Sequence, residues 1–454
     1  MAFDDLREFI SFLERENELR RIKKQVDPRH EIAAYIRKSS DTKGPALLFE
    51  SVKNSDIPVV GGLLSTRHRV LLALGVAKDE YETYMGKFLH AMENLIAPKP
   101  VSSGVCKEVI HLGEDIDVTR LPVPTLSAKD SGPFITAGVV ISRDPETKKN
   151  NTSIYRLQVH GPTRLGIKAQ QLSRQHNKAE TKGERFPVAI AIGTDPVLYM
   201  ATQWDAPYGV DEIALAGALR GAPVEVVKAE TVDLEVPANA EIVIEGYVLP
   251  NVREPEGPFG EVAGYYSPRY PKPVVEITAI THRKNPIFQT SLTGMPTTEN
   301  HILKQLPIEA AYYSDLKKKF PGVTAVHFPA AGAVSLIVVV AMKQSYRYEA
   351  RNVIATMFGS RRNKFVIVVD TDVDIFDMDK VLWAISTRCR MDEDLIVFPR
   401  LSTTTIDPTA EQLEGTSSFW TAGLGIDATL PFGVPAEETV SVFGVEKITL
   451  DEEN

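Results

Sequence analysis

The sequence predicts a mixed fold in which an α/β lobe, a β-rich middle region and a second α/β lobe follow one another. Three observations predict it. The 454 residues are enough for about three ordinary domains. Strand-like runs dominate the middle of the chain, and apolar strands alternate with helical segments towards its end. The hydrophobic fraction of 43% and the charged fraction of 24% are typical of a globular protein.

The first lobe, residues 1–104, opens with an amphipathic helix and continues with two short strand-like runs. The apolar residues of the helix follow the i, i+3, i+4, i+7 spacing of one helical face: Leu6, Phe9, Ile10 and Leu13. A second helical stretch is predicted from Arg69 to about Ile96. Together these segments predict a small α/β lobe.

The middle region, residues 105–299, is a succession of strands separated by turn residues. Many even strands with few helices are typical of a barrel or a sandwich. The segment 211–221 is the exception, because it has helical spacing and an acidic first turn. Near the end of the region, the run 274–282 is followed by a turn at 283–285 and then by 287–294, which predicts a returning strand.

A helix at residues 300–322 is predicted to link the middle region to the last lobe, with an interruption or a restart at Pro307. In the last lobe, residues 323–454, apolar runs alternate with helical segments. Continuous apolar runs are expected for the strands of a parallel sheet whose two faces are both covered. The last lobe is therefore predicted to be α/β.

Composition and charge argue against several classes of protein. The net charge of −9 is wrong for a nucleic-acid surface, which needs a basic face. No apolar run approaches the roughly 20 residues that cross a bilayer, and the acidic, amphipathic start is unlike a secretory signal or a transit peptide. Cys106 and Cys389 are too isolated to form a metal knuckle or a disulfide framework. These features predict a cytoplasmic protein.

The strand around Arg156 is the first candidate functional segment. Alternate residues of a strand share a face, which would place Ile154, Arg156, Gln158 and His160 on one wall. An exposed strand face is the commoner meaning of such a pattern. The usual catalytic signatures, such as a nucleophile elbow, a Walker loop or an HExxH zinc motif, are absent from the sequence.

Two further candidates carry carboxylates. Glu256 and Glu261 flank a stiff Gly-Pro-Phe-Gly turn, and a carboxylate pair near an arginine can have separated pKa values, with one acid protonated near neutral pH. An acidic surface loop is the alternative. Glu212 lies in the first turn of the helix that follows Asp211, where acidic residues also occur simply because they favour helix N-termini.

Taken together, these segments resemble the UbiD-type carboxy-lyases. The resemblance rests on the segments NTSIYR, KAQQLSRQH, DEIALAGALRG, REPEGPFGEVAGYYSP, LWAISTR and GLGIDATLPF, which occur in this order along essentially the whole chain. It implies an N-terminal α/β lobe, a central split β-barrel that binds a flavin, a linking helix and a C-terminal α/β domain. The last domain is expected to serve assembly and to form part of the substrate pocket.

The resemblance also implies prenylated FMN as the cofactor, with a divalent ion and a potassium ion beside it. Asn151 and Glu212 would bind Mn²⁺ or Mg²⁺, which prefer hard oxygen ligands. Where some members of the family carry a histidine ligand, this sequence has Gln171, so the third ligand is left open between Gln171, His176 and a water molecule. The residues implied to bind the cofactor are Asn151, Ile154, Tyr155, Arg156, Gln170, Gln171, Leu172, Gln175, His176 and Glu212.

The catalytic residues implied by the resemblance are Arg156, Glu256 and Glu261. The implied reaction is the reversible, non-oxidative decarboxylation of an aromatic, heteroaromatic or α,β-unsaturated acid, through a covalent adduct with the flavin. The cofactor is needed because no side chain can accept the electron pair left on an sp² carbon. Glu261 would then protonate that carbon, while Glu256 and Arg156 set its position and pKa.

Two other functions stay open at this stage: a split-barrel oxidoreductase that uses unmodified FMN, and a non-catalytic flavin-binding scaffold. Neither of these two functions requires the combination of Arg156 with both Glu256 and Glu261. The expected partners are a small carboxylic acid, carbon dioxide and a flavin prenyltransferase that supplies the cofactor. The resemblance also implies a homodimer or a homohexamer, and neither a nucleic-acid partner nor a membrane span is expected.

Overall fold

The protein is described by a computed structural model that covers residues 3–76, 80–168, 172–359, 363–414, 416 and 418–434. This part of the chain contains both helices and several separate sheets, so the predicted mixed α/β class is confirmed. Within this part of the chain, no helix is long and apolar enough to cross a membrane. The predicted domain limits, after residues 104, 299 and 322, stay predictions.

In the first region, helices pack on a small sheet. Its elements are α1 (Leu6–Arg15), β1 (Leu19–Ile22), α2 (Glu31–Asp41), β2 (Ala46–Phe49), β3 (Val59–Gly61), α3 (Arg67–Ala73), α4 (Tyr81–Glu93) and β4 (Lys99–Pro100). Helix α1 begins after Asp5, whose carboxylate accepts a hydrogen bond from the Glu8 N–H, and its predicted apolar face is buried. The helix predicted from Arg69 to about Ile96 is instead two helices, because Gly75 takes a left-handed φ of 67° just after α3.

The middle region is built on a nine-stranded antiparallel sheet of order β6-β9-β10-β17-β14-β11-β7-β8, with β5 added beside β17. The elements of the region are β5 (Val109–Leu112), β6 (Phe134–Ile135), β7 (Val139–Arg143), β8 (Asn150–Ile154), β9 (Arg156–Gly161), β10 (Arg164–Lys168), α5 (Leu172–Thr181), β11 (Phe186–Ile192), α6 (Pro196–Ala201), α7 (Glu212–Arg220), β12 (Glu225–Lys228), β13 (Glu235–Pro237), β14 (Ile242–Glu256), β15 (Phe259–Gly260), β16 (Tyr266–Ser267), β17 (Tyr270–His282) and β18 (Phe288–Thr290). Strands β8 and β9 lie towards opposite ends of this order, yet only Tyr155 separates them in the chain. The sheet therefore curls until its two ends meet.

One predicted pairing is wrong. Strand β18 does not return beside β17 but pairs in parallel with β3, in a sheet of order β1-β2-β3-β18. The reason is that both edges of β17 are occupied, since β14 pairs with one edge and β5 pairs with residues 279–282 of the other. The turn at 283–285 consequently leads the chain back to the first region and joins the two regions.

Helix α8 (Glu299–Lys319) follows the middle region and is continuous through Pro307, so the predicted interruption is wrong. A proline inside a helix costs about 3 kcal/mol. Here Pro307 is buried, and the helix packs against two separate hydrophobic cores, with Leu303 in one and Leu316 in the other. This packing on two sides stabilises the helix despite the missing backbone N–H.

The last described region contains both helices and a sheet. Its elements are β19 (Val323–His327), β20 (Ile337–Met342), α9 (Glu349–Phe358), β21 (Phe365–Val369), α10 (Met378–Arg388), β22 (Leu395–Thr403), β23 (Glu411–Gln412) and β24 (Phe419–Ala428). Strands β20, β21 and β24 are adjacent and parallel. Along β20, Val338 packs with α9 and the next residue, Val339, packs with α10. Both faces of the sheet are therefore covered, which explains the continuous apolar runs.

Candidate active site

The centre of the site is an ion pair between strand β9 and the glutamate loop, residues 256–261. The Arg156 guanidinium donates from Nε to Glu256 Oε1 at 2.7 Å and from Nη2 to Glu256 Oε2 at 2.8 Å. The Glu256 side chain is fully buried and that of Arg156 is 8% exposed. A bidentate arginine–carboxylate pair fixes both side chains in orientation as well as position.

Glu261 joins the same cluster from the other end of the loop. Its Oε1 accepts hydrogen bonds from Arg156 Nη1 and from Lys168 Nζ, the latter at 2.5 Å. Lys168 lies directly opposite Arg156 in the β9–β10 pairing. Two cations at such positions repel each other, and the negative charge of the Glu261 carboxylate, which both of them contact, offsets this repulsion. The three residues predicted to be catalytic are thus in direct contact.

The glutamate loop is held by polar contacts on both sides. Gln158 Oε1 accepts a hydrogen bond from the Gly257 N–H at 3.0 Å, and Asp130 Oδ1 accepts one from the Gly260 N–H at 2.9 Å. Gly257 has a φ of 88°, a conformation that favours glycine. Phe259 lies under the Arg156 guanidinium, 4.6 Å from ring centroid to Cζ. These contacts fix the loop so that both carboxylates face Arg156.

The predicted alternation along strand β9 is confirmed for three of the four residues. Arg156, Gln158 and His160 all bind residues 254–257, and His160 Nδ1 lies 2.7 Å from Glu254 Oε2. Ile154 departs from the prediction because it belongs to β8, on the far side of the break at Tyr155. It packs instead against the hydrophobic core shared with the first region.

The charges around Glu261 decide its protonation. Burial by itself raises the pKa of Glu261, but the positive charges of Arg156, Lys168 and Lys304 outweigh it and hold this pKa below its ordinary value. The side chain remains 31% exposed. Glu261 is therefore ionised at neutral pH in the protein without ligands, and the expectation of a protonated acid in the resting pair does not apply to it.

A second cluster surrounds Glu212, at the start of α7. Its Oε2 accepts a hydrogen bond from the Thr152 N–H at 2.9 Å, which places Glu212 beside Asn151 on β8. Asn151 Nδ2 donates to the Tyr155 hydroxyl at 3.4 Å. Burial raises the pKa of Glu212 to about 7, and among the described residues no ion pair involves it. A buried carboxylate that has no cationic partner among the described residues has the chemistry expected of a ligand for Mn²⁺ or Mg²⁺.

The predicted third metal ligand is only partly described. Gln170 and Gln171 lie outside the described residues. The His176 ring packs against Phe186 and its Nε2 lies 3.8 Å from Glu180 Oε1, and burial lowers its pKa.

Two neighbours of His176 on α5 were also predicted to contact the cofactor. Gln175 Oε1 accepts from Ser142 Oγ at 2.8 Å, and Ser142 is the strand partner of Asn151. Gln175 is therefore connected through Ser142 to the strand that carries Asn151, while Leu172 is buried in the core. In the part of the chain that is described, no three His, Cys, Asp or Glu side chains form a metal-binding group, so amide or water ligands would have to contribute.

Lys168, Asp130 and Phe259 also belong to the site, although the sequence alone did not identify them. The signal for Lys168 was present, because the short turn after His160 makes 164–168 the hairpin partner of 156–161 and so sets Lys168 across from Arg156. Asp130 and Phe259 depend on contacts between distant segments. No local pattern encodes such contacts.

Comparisons with known proteins cover most of the chain. Models of the 3-octaprenyl-4-hydroxybenzoate carboxy-lyase family, UbiD, match in three parts: the N-terminal domain at residues 10–87, the Rift-related domain at 99–296 and the C-terminal domain at 301–428. An uncharacterized protein of Archaeoglobus fulgidus is 36% identical over 455 residues, which is 94% of this chain and 92% of that protein.

Solved structures are similar over the full length. The UbiD-class enzyme HmfF from Pelotomaculum thermopropionicum, in complex with FMN, is 40% identical with a TM-score of 0.91, covering 99% of this chain and 100% of its own. Its evolved dimeric form, in complex with prFMN, is 39% identical with a TM-score of 0.89 and covers 100% of both chains. The closed form of vanillic acid decarboxylase from Sedimentibacter hydroxybenzoicus is 31% identical with a TM-score of 0.86 over 98% of both chains.

Proposed function

The chain belongs to the UbiD family of carboxy-lyases and is a decarboxylase; from this premise we propose that it removes carbon dioxide, reversibly and without net oxidation, from an aromatic, heteroaromatic or α,β-unsaturated acid. A small aromatic or heteroaromatic acid is the substrate class we favour. The observation that carries the proposal is the contact of Arg156 with both Glu256 and Glu261. An oxidoreductase or a scaffold has no need for this arrangement.

The proposed cofactor is prenylated FMN, by analogy with the HmfF complexes. Strand β9 and its neighbours would form the flavin wall of the split barrel, which we equate with the curled nine-stranded sheet. When bound, the prenylated flavin supplies the electron sink for the electron pair that remains when carbon dioxide leaves. The chain binds and positions the cofactor. The residues proposed for this are Asn151, Ile154, Tyr155 and Arg156, together with residues 170–172, 175, 176 and 212.

The roles of the acidic groups follow from their surroundings. Glu256 is fully buried on the Arg156 guanidinium, so we assign it to orient Arg156. Glu261 is partly exposed and is held by Lys168 and Arg156, so we assign it to deliver a proton to the carbon that loses carbon dioxide. The proton must reach Glu261 during the cycle, because its low pKa leaves it ionised beforehand.

Asn151 and Glu212 are proposed to bind Mn²⁺ or Mg²⁺, with Gln171 or His176 as the third ligand and a potassium ion nearby. Because the pKa of Glu212 is raised to about 7, protons compete with the metal below that pH. We expect the apparent Mn²⁺ affinity to fall by up to about tenfold per pH unit below about pH 7. Calorimetric titration of Mn²⁺ at about pH 6 and about pH 8 measures this fall.

Glu212→Gln is the control for this pH dependence. The amide cannot ionise, so the variant should bind Mn²⁺ weakly and with no change between the two pH values. Equal affinity of the unmodified protein at both pH values would contradict the assignment of Glu212.

Assembly as a homodimer or a homohexamer through the last region is also proposed. Large apolar side chains are exposed there on α10 and on β22, among them Leu382, Trp383 and Val397. Large apolar side chains exposed on a surface are expected where subunits meet.

The experiment that tests the function uses protein purified from cells that also express a flavin prenyltransferase. Mass spectrometry of the released cofactor should show prenylated FMN, and carbon dioxide should be released from at least one acid of an aromatic and heteroaromatic panel. Unmodified FMN together with oxidation of a nicotinamide would favour the oxidoreductase. Prenylated FMN without carbon dioxide release from any acid would favour a scaffold.

A further inference from the structure

Lys168 contacts Glu261, the proposed proton donor, but none of the proposed steps assigns a role to Lys168. Its ammonium donates to Glu261 Oε1 at 2.5 Å, and its side chain is 24% exposed. It projects from β10 on the same side as Arg156, its partner in the register of β9 and β10. The Lys168 ammonium therefore contacts the Glu261 carboxylate from a side chain that solvent also reaches.

The charged and titratable groups around Glu261 can be compared as sources of its proton. Arg156 binds Glu261 and Glu256 at once, and a guanidinium does not give up its proton in proteins. His301 is buried on the neighbouring helix α8, with Nε2 2.8 Å from the Val262 carbonyl oxygen. Burial lowers the pKa of His301 to about 4, so it carries no proton to spare at neutral pH.

Two more lysines lie within electrostatic range of Glu261. Lys304, on α8, lowers the pKa of Glu261 by its charge. Burial lowers the pKa of Lys272, on β17, and the positive charge of Lys168 lowers it further. The Lys272 ammonium lies over the Tyr270 ring, 5.7 Å from its centroid. Among the hydrogen bonds given by the described residues, the Glu261 carboxylate accepts one from the Lys168 ammonium.

We propose that Lys168 is a positioning residue that returns the proton to Glu261 in each catalytic cycle. An N–H bond of the Lys168 ammonium breaks, an O–H bond forms on Glu261 Oε1, and the neutral amine then takes a proton from water. Glu261 passes its proton to the carbon that has lost carbon dioxide, so each turnover consumes one proton from solvent. The inference rests on the proposed function, in which Glu261 is the donor.

The first test measures the protonation of Glu261 in protein without cofactor. Difference infrared spectroscopy against Glu261→Gln isolates the Glu261 carboxyl band during a pH titration. Removing the cation by Lys168→Met should raise the pKa of Glu261 by about 1 to 2 units, whereas Lys168→Arg keeps the charge and should leave this pKa unchanged. Lys99→Met, which breaks the surface pair of Lys99 with Glu225, is the matched control. An unshifted Glu261 pKa in Lys168→Met would overturn the proposal.

The second test separates proton return from charge, using the enzyme loaded with cofactor. Both Lys168→Met and Lys168→Arg should lose kcat by about 10- to 100-fold, with little change in KM and a larger solvent deuterium isotope effect. Arginine should fail because it keeps the charge but does not release its proton. Lys99→Met should keep the unmodified kcat.

The outcomes of the second test distinguish this inference from the function on which it rests. Full activity of Lys168→Arg would show that Lys168 does not return the proton to Glu261. The proposed decarboxylase function would still stand. If the unmodified, cofactor-loaded protein releases no carbon dioxide, the proposed function fails, and the inference about Lys168 fails with it.

Discussion

Replacing Glu261 by glutamine is expected to abolish turnover while flavin and metal remain bound. Glutamine has nearly the shape of glutamate, and its amide oxygen can still accept hydrogen bonds from Arg156 and Lys168, so the glutamate loop should keep its place. What is lost is the acid that protonates the product carbon. Loss of a general acid reduces kcat by about 10² to 10⁴. Carbon dioxide release, with flavin absorbance and metal content measured on the same sample, checks this result.

A matched control is available on a neighbouring strand. Glu276 lies on β17 and forms an exposed pair with Arg185, so Glu276→Gln makes the same chemical change outside the site and should leave turnover unaffected. A Glu261→Gln enzyme with unmodified kcat would remove Glu261 from the mechanism.

Replacing Arg156 by methionine is expected to damage both folding and catalysis. The change leaves the fully buried Glu256 carboxylate without its cation, and breaking a buried pair in this way costs about 3 to 5 kcal/mol of unfolding free energy. Denaturant unfolding of the cofactor-free protein measures it. Arg185→Met, at the exposed pair with Glu276, should cost no more than about 1 kcal/mol.

A double variant separates stability from chemistry. Combining Arg156→Met with Glu256→Leu replaces the buried ion pair by apolar side chains of similar volume, a change that is often neutral or stabilising. We expect the double variant to regain most of the unfolding free energy and still to lack turnover. If Arg156→Met alone is as stable as the unmodified protein, the ion pair does not have the structural role assigned to it.

The parts of the fold that the sequence predicts are those governed by local pattern. The stripe of Leu6, Phe9, Ile10 and Leu13 is buried, and the alternation of Arg156, Gln158 and His160 holds along β9. In each case a helical or strand period alone decides which side chains share a face. The predicted class of the last region follows from the same kind of pattern.

The errors arise where distant segments compete for one position. Strand β18 looks like a hairpin partner of β17, but β5, more than 160 residues earlier in the chain, occupies that edge. Pro307 looks like a helix break, but packing against two cores stabilises α8 through it. Such outcomes depend on tertiary contacts, which override local propensity.

The candidate site shows the same division. Arg156 and the two glutamates are recognisable from short segments of sequence, and the structure brings them into contact. The low pKa of Glu261 was not predictable, because two of the cations that cause it, Lys168 and Lys304, come from other elements, β10 and α8. Ionisation depends on the sum of charges in space, which spacing along the chain does not give.

The route of the proton can be followed with deuterium. Cofactor-loaded enzyme is supplied in D₂O with the best acid of the panel, and the product is analysed by mass spectrometry and NMR. We expect release of carbon dioxide and a single deuterium on the carbon that carried the carboxylate, with both lost in Glu261→Gln. Deuterated product formed at the unmodified rate by Glu261→Gln would contradict it, as would the absence of decarboxylation by a protein shown to carry prenylated FMN.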